Sequence, residues 1–437
     1  MQSSERKVVA IESESAESQG EGSWVSKLGP GLITGAADDD PSGIATYSQA
    51  GAQFGFNTLW TLFFTYPLMV AIQMVSAKIG RVTGRGLATN IRRHYSAWLV
   101  YAIVGLLLIA NTINIAADLA AMGDALKLLF GGRVHIYALG FGLLSLLLQV
   151  FVPYQRYVKV LKWLTLALLA YVATVFAVKV SWGNVATSTV LPHFSFSPAY
   201  ITTIVAVFGT TISPYLFFWQ ASQEVEELRA NPNDLALIED GSKASPSFRR
   251  IKIDTLIGMG FSNLVAFFIM LTTAVTLNEH GLTNIETSAQ AAAALRPIAG
   301  NFAFALFSAG IIGTGLLAVP VLAGSAAYAL SGALRWKNSL EYPPESAKGF
   351  YGVISASTLL GIALCFAPIN PIKALYWSAV INGVISVPIM AVMMLLASNA
   401  KVMGRFTIGQ KLKILGWACT IVMSVAVVAM FLTYGKA

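Results

Sequence analysis

The sequence predicts an all-α integral membrane protein of eleven transmembrane helices, built as two inverted five-helix repeats in which helices 1 and 6 are discontinuous. Three observations carry that expectation. Of the 437 residues, 56% are hydrophobic and 11% charged, less than half the roughly 25% charged share of a soluble domain. Apolar runs of about 20 residues, each enough to cross a bilayer, recur along most of the chain. Two of these runs, five spans apart, are interrupted by proline among polar residues. The composition excludes a cytosolic enzyme, a disulfide scaffold and a disordered protein.

Residues 1–23 are polar and Ser/Glu-rich, with no long apolar core, and are expected to form a disordered cytoplasmic tail. Spans then follow at 25–55, 57–80, 97–124, 135–153, 156–180, 198–223, 254–277, 301–330, 349–368, 372–398 and 411–434. Ten of them make a core over 24–398, split into repeats 24–180 and 198–398, and the eleventh belongs to 399–437. The net charge of +8 reflects membrane orientation rather than nucleic acid, because 23 of the 29 Lys and Arg fall in alternate loops. That asymmetry places the chain in the cell inner (plasma) membrane with its N-terminus cytoplasmic and its C-terminus outside. The charged stretch 224–252 reads as the longest inner loop, a solvated connector. Cys365 and Cys419 lie inside apolar runs, share no metal-ligand spacing and read as small hydrophobes.

Span 1 holds Asp38, Asp39 and Asp40 at its middle, followed by Pro41, Ser42 and Gly43. A carboxylate at mid-bilayer costs at least about 2.5–3.5 kcal/mol on insertion scales, so three cannot face lipid. Pro41 removes a backbone donor, which predicts two half-helices, about 28–37 and 44–55, with freed backbone groups lining a cavity. Asp40-Pro41 is also an ordinary helix start, but a span beginning there would have too few apolar residues before Asn57 to cross. Span 6 carries Ser213-Pro214 near its middle, with Gly209 and Thr210 just before. Paired interrupted helices in matching positions of two halves mark a transporter's binding site.

At these residues the chain resembles the Nramp family of divalent metal transporters. The likeness runs through GPG at 29–31, the Asp-Pro motif followed by ATYSQAGA (45–52), KIGRVTG (78–84), AADLA (116–120), the Pro-centred span 6 and LKILGW (412–417). It implies the LeuT-type fold and ion transport by alternating access. The motifs also depart from the family. Asp-Pro-Gly-Asn becomes Asp40-Pro41-Ser42-Gly43, and Met-Pro-His becomes Ser213-Pro214-Tyr215, so an amide, a thioether and an imidazole are missing. The family's span 3 aspartate is kept as Asp118, with Asn111 and Ala121 at neighbouring acid positions, and Gln220 replaces a second histidine.

Carboxylate, hydroxyl and carbonyl oxygens suit a hard cation, whereas a thioether selects softer metals. The expectation is therefore Mg²⁺, as in the family's magnesium-transporting branch, or else Mn²⁺, moved as substrate with no cofactor. Asp40 and Ser213 are the expected metal ligands; Gly43, Thr210, Tyr215, Gln220, Asp39 and Asn382 are further lining residues. Asp38 competes with Asp39 and Asp40 for the ion. Ser378 could reach in from span 10, and Tyr47 could gate the cavity or simply pack at the break. Asp118 is the one candidate for a proton pathway, and weak or absent proton coupling is expected. Partners are membrane lipid and a small inorganic ion, no nucleic acid, and the monomer is favoured. Three other readings stand beside this one. The scaffold could carry bicarbonate or another small anion at the half-helix N-termini, import Mn²⁺ or Fe²⁺ with protons, or act as a non-transporting sensor.

Overall fold

Proline and glycine set the helix boundaries in the computed structural model, which describes residues 34–35, 37–152, 165–231 and 234–434. The predicted tail, most of the first half of span 1 and the start of span 5 lie outside the described residues. Helix α1 (Pro41–Phe54) opens on a proline that has no N–H to leave unsatisfied, capped by the Asp40 side chain. It ends at Gly55, whose φ of +57° turns the chain through a short 3-10 corner into α2 (Leu59–Thr83). A short α3 (Leu87–His94) precedes α4 (Ala97–Phe130), which Ser96 caps, and α5 (Val134–Phe151). Then come α6 (Leu169–Ala177) and α7 (Trp182–Val190).

The second half repeats the opening device. Helix α8 (Pro198–Thr211) stops at Ile212, and α9 (Pro214–Ala230) restarts after Ser213, so the chain breaks where Ser213-Pro214 predicts. Long helices α10 (Ala244–Thr276) and α12 (Ala303–Leu334) flank a short α11 (Ser288–Ala293). Helices α13 (Lys348–Leu364), α14 (Pro371–Ser398) and α15 (Gln410–Tyr434) complete the chain. The described residues form no strand. Eight helical stretches among them, taking helices joined across a short break as one, are long and apolar enough to cross a membrane, with two shorter apolar helices, Leu166–Ala177 and Lys348–Leu364.

Most span limits fall within a few residues of expectation, with three corrections. The second half of span 1 begins at Pro41 rather than 44, because Asp40 serves as its cap. Helices α3 and α7 were not anticipated; both are short and lie between long apolar runs. The stretch 224–252 is a solvated connector only in its middle, where residues 238–240 and 242–243 are exposed. Helix α9 runs on to Ala230 and α10 starts at Ala244, and Glu224 and Glu226 are buried. Arg250 on α10 reaches Glu224 at 2.5 Å and Glu227 at 2.9 Å, so these three charges pair between helices, while Glu239, Asp240, Arg249 and Lys252 face water.

The core centres on α4 packed along α12, with α8 against α14 and α1 against α10. Large apolar side chains such as Phe63, Ile109, Leu147 and Val425 remain exposed on the outside, as lipid contact requires. Cys365 and Cys419 are buried free thiols, as their apolar settings predicted.

Candidate functional site

The two helix breaks meet in the middle of the molecule. Thr34, Gly35, Ala37 and Asp38 are helical, Asp39 and Asp40 are not, and α1 starts at once after them. A Cβ built on Gly43 would stand 3.0 Å from Thr210 Oγ1, so the missing side chain lets the first turn of α1 approach the end of α8. Gly43 and Thr210 are thus brought together as expected.

Asp40 is the hub. Its Oδ1 accepts from the Ser42 hydroxyl at 2.6 Å and the Gly43 amide at 2.8 Å, the N-cap geometry. Its Oδ2 accepts from Asn114 Nδ2 of α4 at 2.9 Å. The Tyr215 hydroxyl, in the first turn of α9, lies 3.1 Å from the Ala37 carbonyl oxygen and 3.4 Å from Asp40 Oδ2. Tyr215 therefore ties one break to the other. The Ala37 carbonyl is available because Pro41, the residue that would pair with it in a continuous helix, has no N–H to donate.

The other two acids look elsewhere. Ser262 of α10 shares its hydroxyl between Asp38 Oδ2 at 2.7 Å and Asp39 Oδ1 at 3.1 Å. Asp118 sits on α4 one turn beyond Asn114, fully buried, and neither carboxylate oxygen has a hydrogen-bond partner. Asp38, Asp39, Asp40 and Asp118 are each at most 2% exposed. Among the described residues, none of the four is paired with a Lys, Arg or His. No three His, Cys, Asp or Glu side chains among the described residues converge closely enough to hold a metal ion by themselves. Neutral oxygens must complete any cation site here.

The remaining expected residues are spread around this hub. Ser213 turns its hydroxyl back to the carbonyls of Gly209 at 3.0 Å and Thr210 at 2.8 Å, so its proton is already committed. Gln220 lies further along α9 and accepts from Thr34 at 2.5 Å, away from Asp40. Asn382 of α14 is buried with neither amide atom bonded, while Ser378 closes on its own helix at Leu375. One turn on from Asn382, Ser386 donates to the freed Ile212 carbonyl at 2.8 Å. Asn111 bonds Leu322 and Ser325 of α12, so it supports packing there. Pro41, Ser42 and Pro214 mark the breaks as predicted.

Sequence reasoning missed Asn114, Ser262 and the Ala37 carbonyl. Asn114 was open to discovery, since Asn111, Asn114, Asp118 and Met122 fall at helical spacing on the otherwise apolar α4. Met122 was missed too. A Cβ on Gly315 of α12 would sit 2.4 Å from Met122 Sδ and 3.3 Å from Pro41 Cγ, so this thioether lies beside the start of α1.

Helices broken at mid-membrane around buried acids define a multi-pass membrane transporter, not an enzyme. The chain belongs to the Nramp family: the family model described as natural resistance-associated macrophage protein-like matches residues 31–433. The divalent metal cation transporter MntH of Yersinia pestis is 29% identical over 302 residues, 67% of this chain and 69% of that protein. MntH of Klebsiella pneumoniae is 25% identical over 403 residues, 90% of each. The manganese transporter of Eremococcus coleocola shares the fold at a TM-score of 0.71 and 17% identity, over 93% of this chain and 87% of its own. The fold extends to Mhp1, a nucleobase-cation-symport-1 family transporter, at 0.54 and 12% identity, over 94% and 93% of the two chains.

Proposed function

We propose that the chain carries a hard divalent cation, Mn²⁺ or Mg²⁺, across the plasma membrane by alternating access. One observation carries the reading: Asp40 Oδ2, the Ala37 carbonyl, the Tyr215 hydroxyl and the Asn114 carboxamide form a cluster at the helix breaks. Turning the Asn114 amide by half a turn puts its oxygen where its nitrogen is, 2.9 Å from Asp40 Oδ2. Two neighbouring ligands of an octahedral ion held at about 2.0–2.1 Å stand about 2.9 Å apart. The Asp40–Asn114 spacing is compatible with two neighbouring ligands of such an ion, which favours Asp40 over Asp38 or Asp39 as the carboxylate facing it, with waters filling the rest.

The substrate preference follows from the donors. Oxygen ligands suit Mn²⁺ and Mg²⁺ alike and discriminate weakly between them. The relatives named above as manganese or divalent metal cation transporters favour Mn²⁺, and the loss of the motif thioether favours admission of Mg²⁺. Four buried acids without a basic partner argue against a bicarbonate-type anion. They also bear on coupling: one divalent ion balances two of the four, so the others hold protons or a second cation. Weak proton coupling is therefore less well supported than the sequence motifs alone suggested. Eleven spans in two inverted repeats, with the N-terminus cytoplasmic, remain the topology we adopt.

Flux into proteoliposomes under an inside-negative potential tests this. Uptake of Mn²⁺ and Mg²⁺ that Asp40→Ala abolishes is the expected result. Absence of uptake for both ions would sink the cation reading.

A further inference from the structure

A cavity of about 520 Å³ opens where α2 stops, α3 runs across and α9 and α12 finish. Five arginines line it: Arg85, Arg92, Arg93, Arg229 and Arg335. One acid faces them, Glu226, and it is already engaged. It accepts from Tyr328 at 3.1 Å, Ser339 at 2.6 Å and Arg229 at 3.0 Å. Arg92 lies over the Tyr101 ring at 6.0 Å. The guanidinium groups of Arg85, Arg93 and Arg335 form no ion pair among the described residues; Arg85 feels repulsion from Arg93 and a weaker attraction to Glu239 outside the cavity.

Two further features belong to this cavity. Arg335 caps α12 at φ +61°, the one non-glycine residue with positive φ among those described. Glycine takes that conformation without steric cost, so an arginine there is held against preference. Trp336, in the cavity lining, stands 45% exposed, and Trp98, outside the lining near the start of α4, stands 76% exposed. Exposed tryptophans of this kind settle at the level of lipid headgroups.

We propose that this arginine-lined cavity binds the phosphate of an anionic phospholipid from the leaflet on which it opens. Planar guanidinium forks match phosphate oxygens two at a time and give up their hydration more readily than ammonium groups. Three guanidinium groups outside any ion pair around one cavity supply that recognition, and Trp336 in its lining places it where such headgroups lie. A soluble phosphate compound carries the same chemistry, so the test must separate the two sources.

Purified full-length protein in neutral detergent is titrated with phosphatidylglycerol, phosphatidylcholine or inorganic phosphate, reading thermal midpoint and lipid retention by native mass spectrometry. Phosphatidylglycerol should raise the midpoint and be retained, and phosphatidylcholine should do neither. The double variant Arg85→Gln, Arg93→Gln should lose at least about tenfold in retention. Arg335→Gly, which keeps the backbone conformation and removes one guanidinium, should weaken retention even if the double variant folds poorly. Displacement of phosphatidylglycerol by millimolar inorganic phosphate would overturn the lipid assignment. Equal retention of both lipids, or unchanged retention in Arg335→Gly and the double variant alike, would overturn the proposal altogether.

Discussion

Asp40 and Asn114 face each other at 2.9 Å across the gap between the unwound segment and α4, and they come from positions 74 residues apart. In the absence of an ion the amide donates to the carboxylate. Under the proposed function, the same pair would offer an ion two oxygens from opposite walls. This contact therefore links occupancy of the site to the packing of α1 on α4.

Removing the carboxylate should be more damaging than removing the amide. Asp40→Ala should reduce cation uptake by about 100-fold or more, and Asn114→Leu should raise the half-saturating concentration about 10–100-fold. Uptake kinetics over a range of Mn²⁺ check both. Equal losses in the two variants would mean that Asn114 acts only by holding Asp40.

Soft ions report on the thioether. If oxygens alone bind substrate, Cd²⁺ should compete no better than Mn²⁺, and Met122→Leu should leave that ranking unchanged. Strong Cd²⁺ competition that disappears in Met122→Leu would make Met122 a ligand supplied from α4 in place of the missing motif methionine.

Close packing at the second break predicts a stability loss. A Cβ on Gly209 would fall 2.0 Å from the Ala379 carbonyl oxygen of α14, an overlap with backbone that no rotamer relieves. Gly209→Ala should destabilise by about 1–3 kcal/mol or more, seen as a lower thermal midpoint in detergent. A midpoint within error of the parent would show that α8 and α14 separate easily.

The segment between α9 and α10 should respond to acid. Asp234 accepts from Lys243 and from Arg81 at 3.1 Å, and both hold its carboxyl below the usual carboxylate range. A depressed folded-state pKa contributes stability above the unfolded value and loses it as pH falls through the folded one. Asp234→Asn should therefore lower the midpoint at pH 7, by about 1 kcal/mol for a partly exposed pair, and narrow the gap to the parent as pH falls toward 3. A gap that is the same at both pH values would exclude the ion pair as its cause.

Much of the architecture was legible because bilayer physics writes it plainly. Long apolar runs gave the spans, and Pro41 and Pro214 beside small polar residues gave both breaks. Tertiary partners were less legible. Nothing local to Asp38 or Asp39 says that Ser262, over 200 residues away, will take them both. The stretch 224–252 misled for a related reason. Its acids and arginines read as solvated until α9 and α10 are seen side by side, where Glu224 and Arg250 neutralise each other. Asn114 was hidden by a different habit, since a single asparagine in an apolar helix reads as packing unless its spacing to Asp118 is weighed.

The glycine contacts give the break at Ile212–Ser213 a mechanical meaning. Gly209 fastens α8 to α14 at Ala379, while on the far side Gly80 of α2 meets the α9 backbone at Ala221, where a Cβ would come within 2.2 Å. The two leaves of this hinge are thus bolted to different plates. Bending at Ser213 would therefore tend to carry α14 with α8 and α2 with α9, spreading a change of a few backbone angles over whole helices.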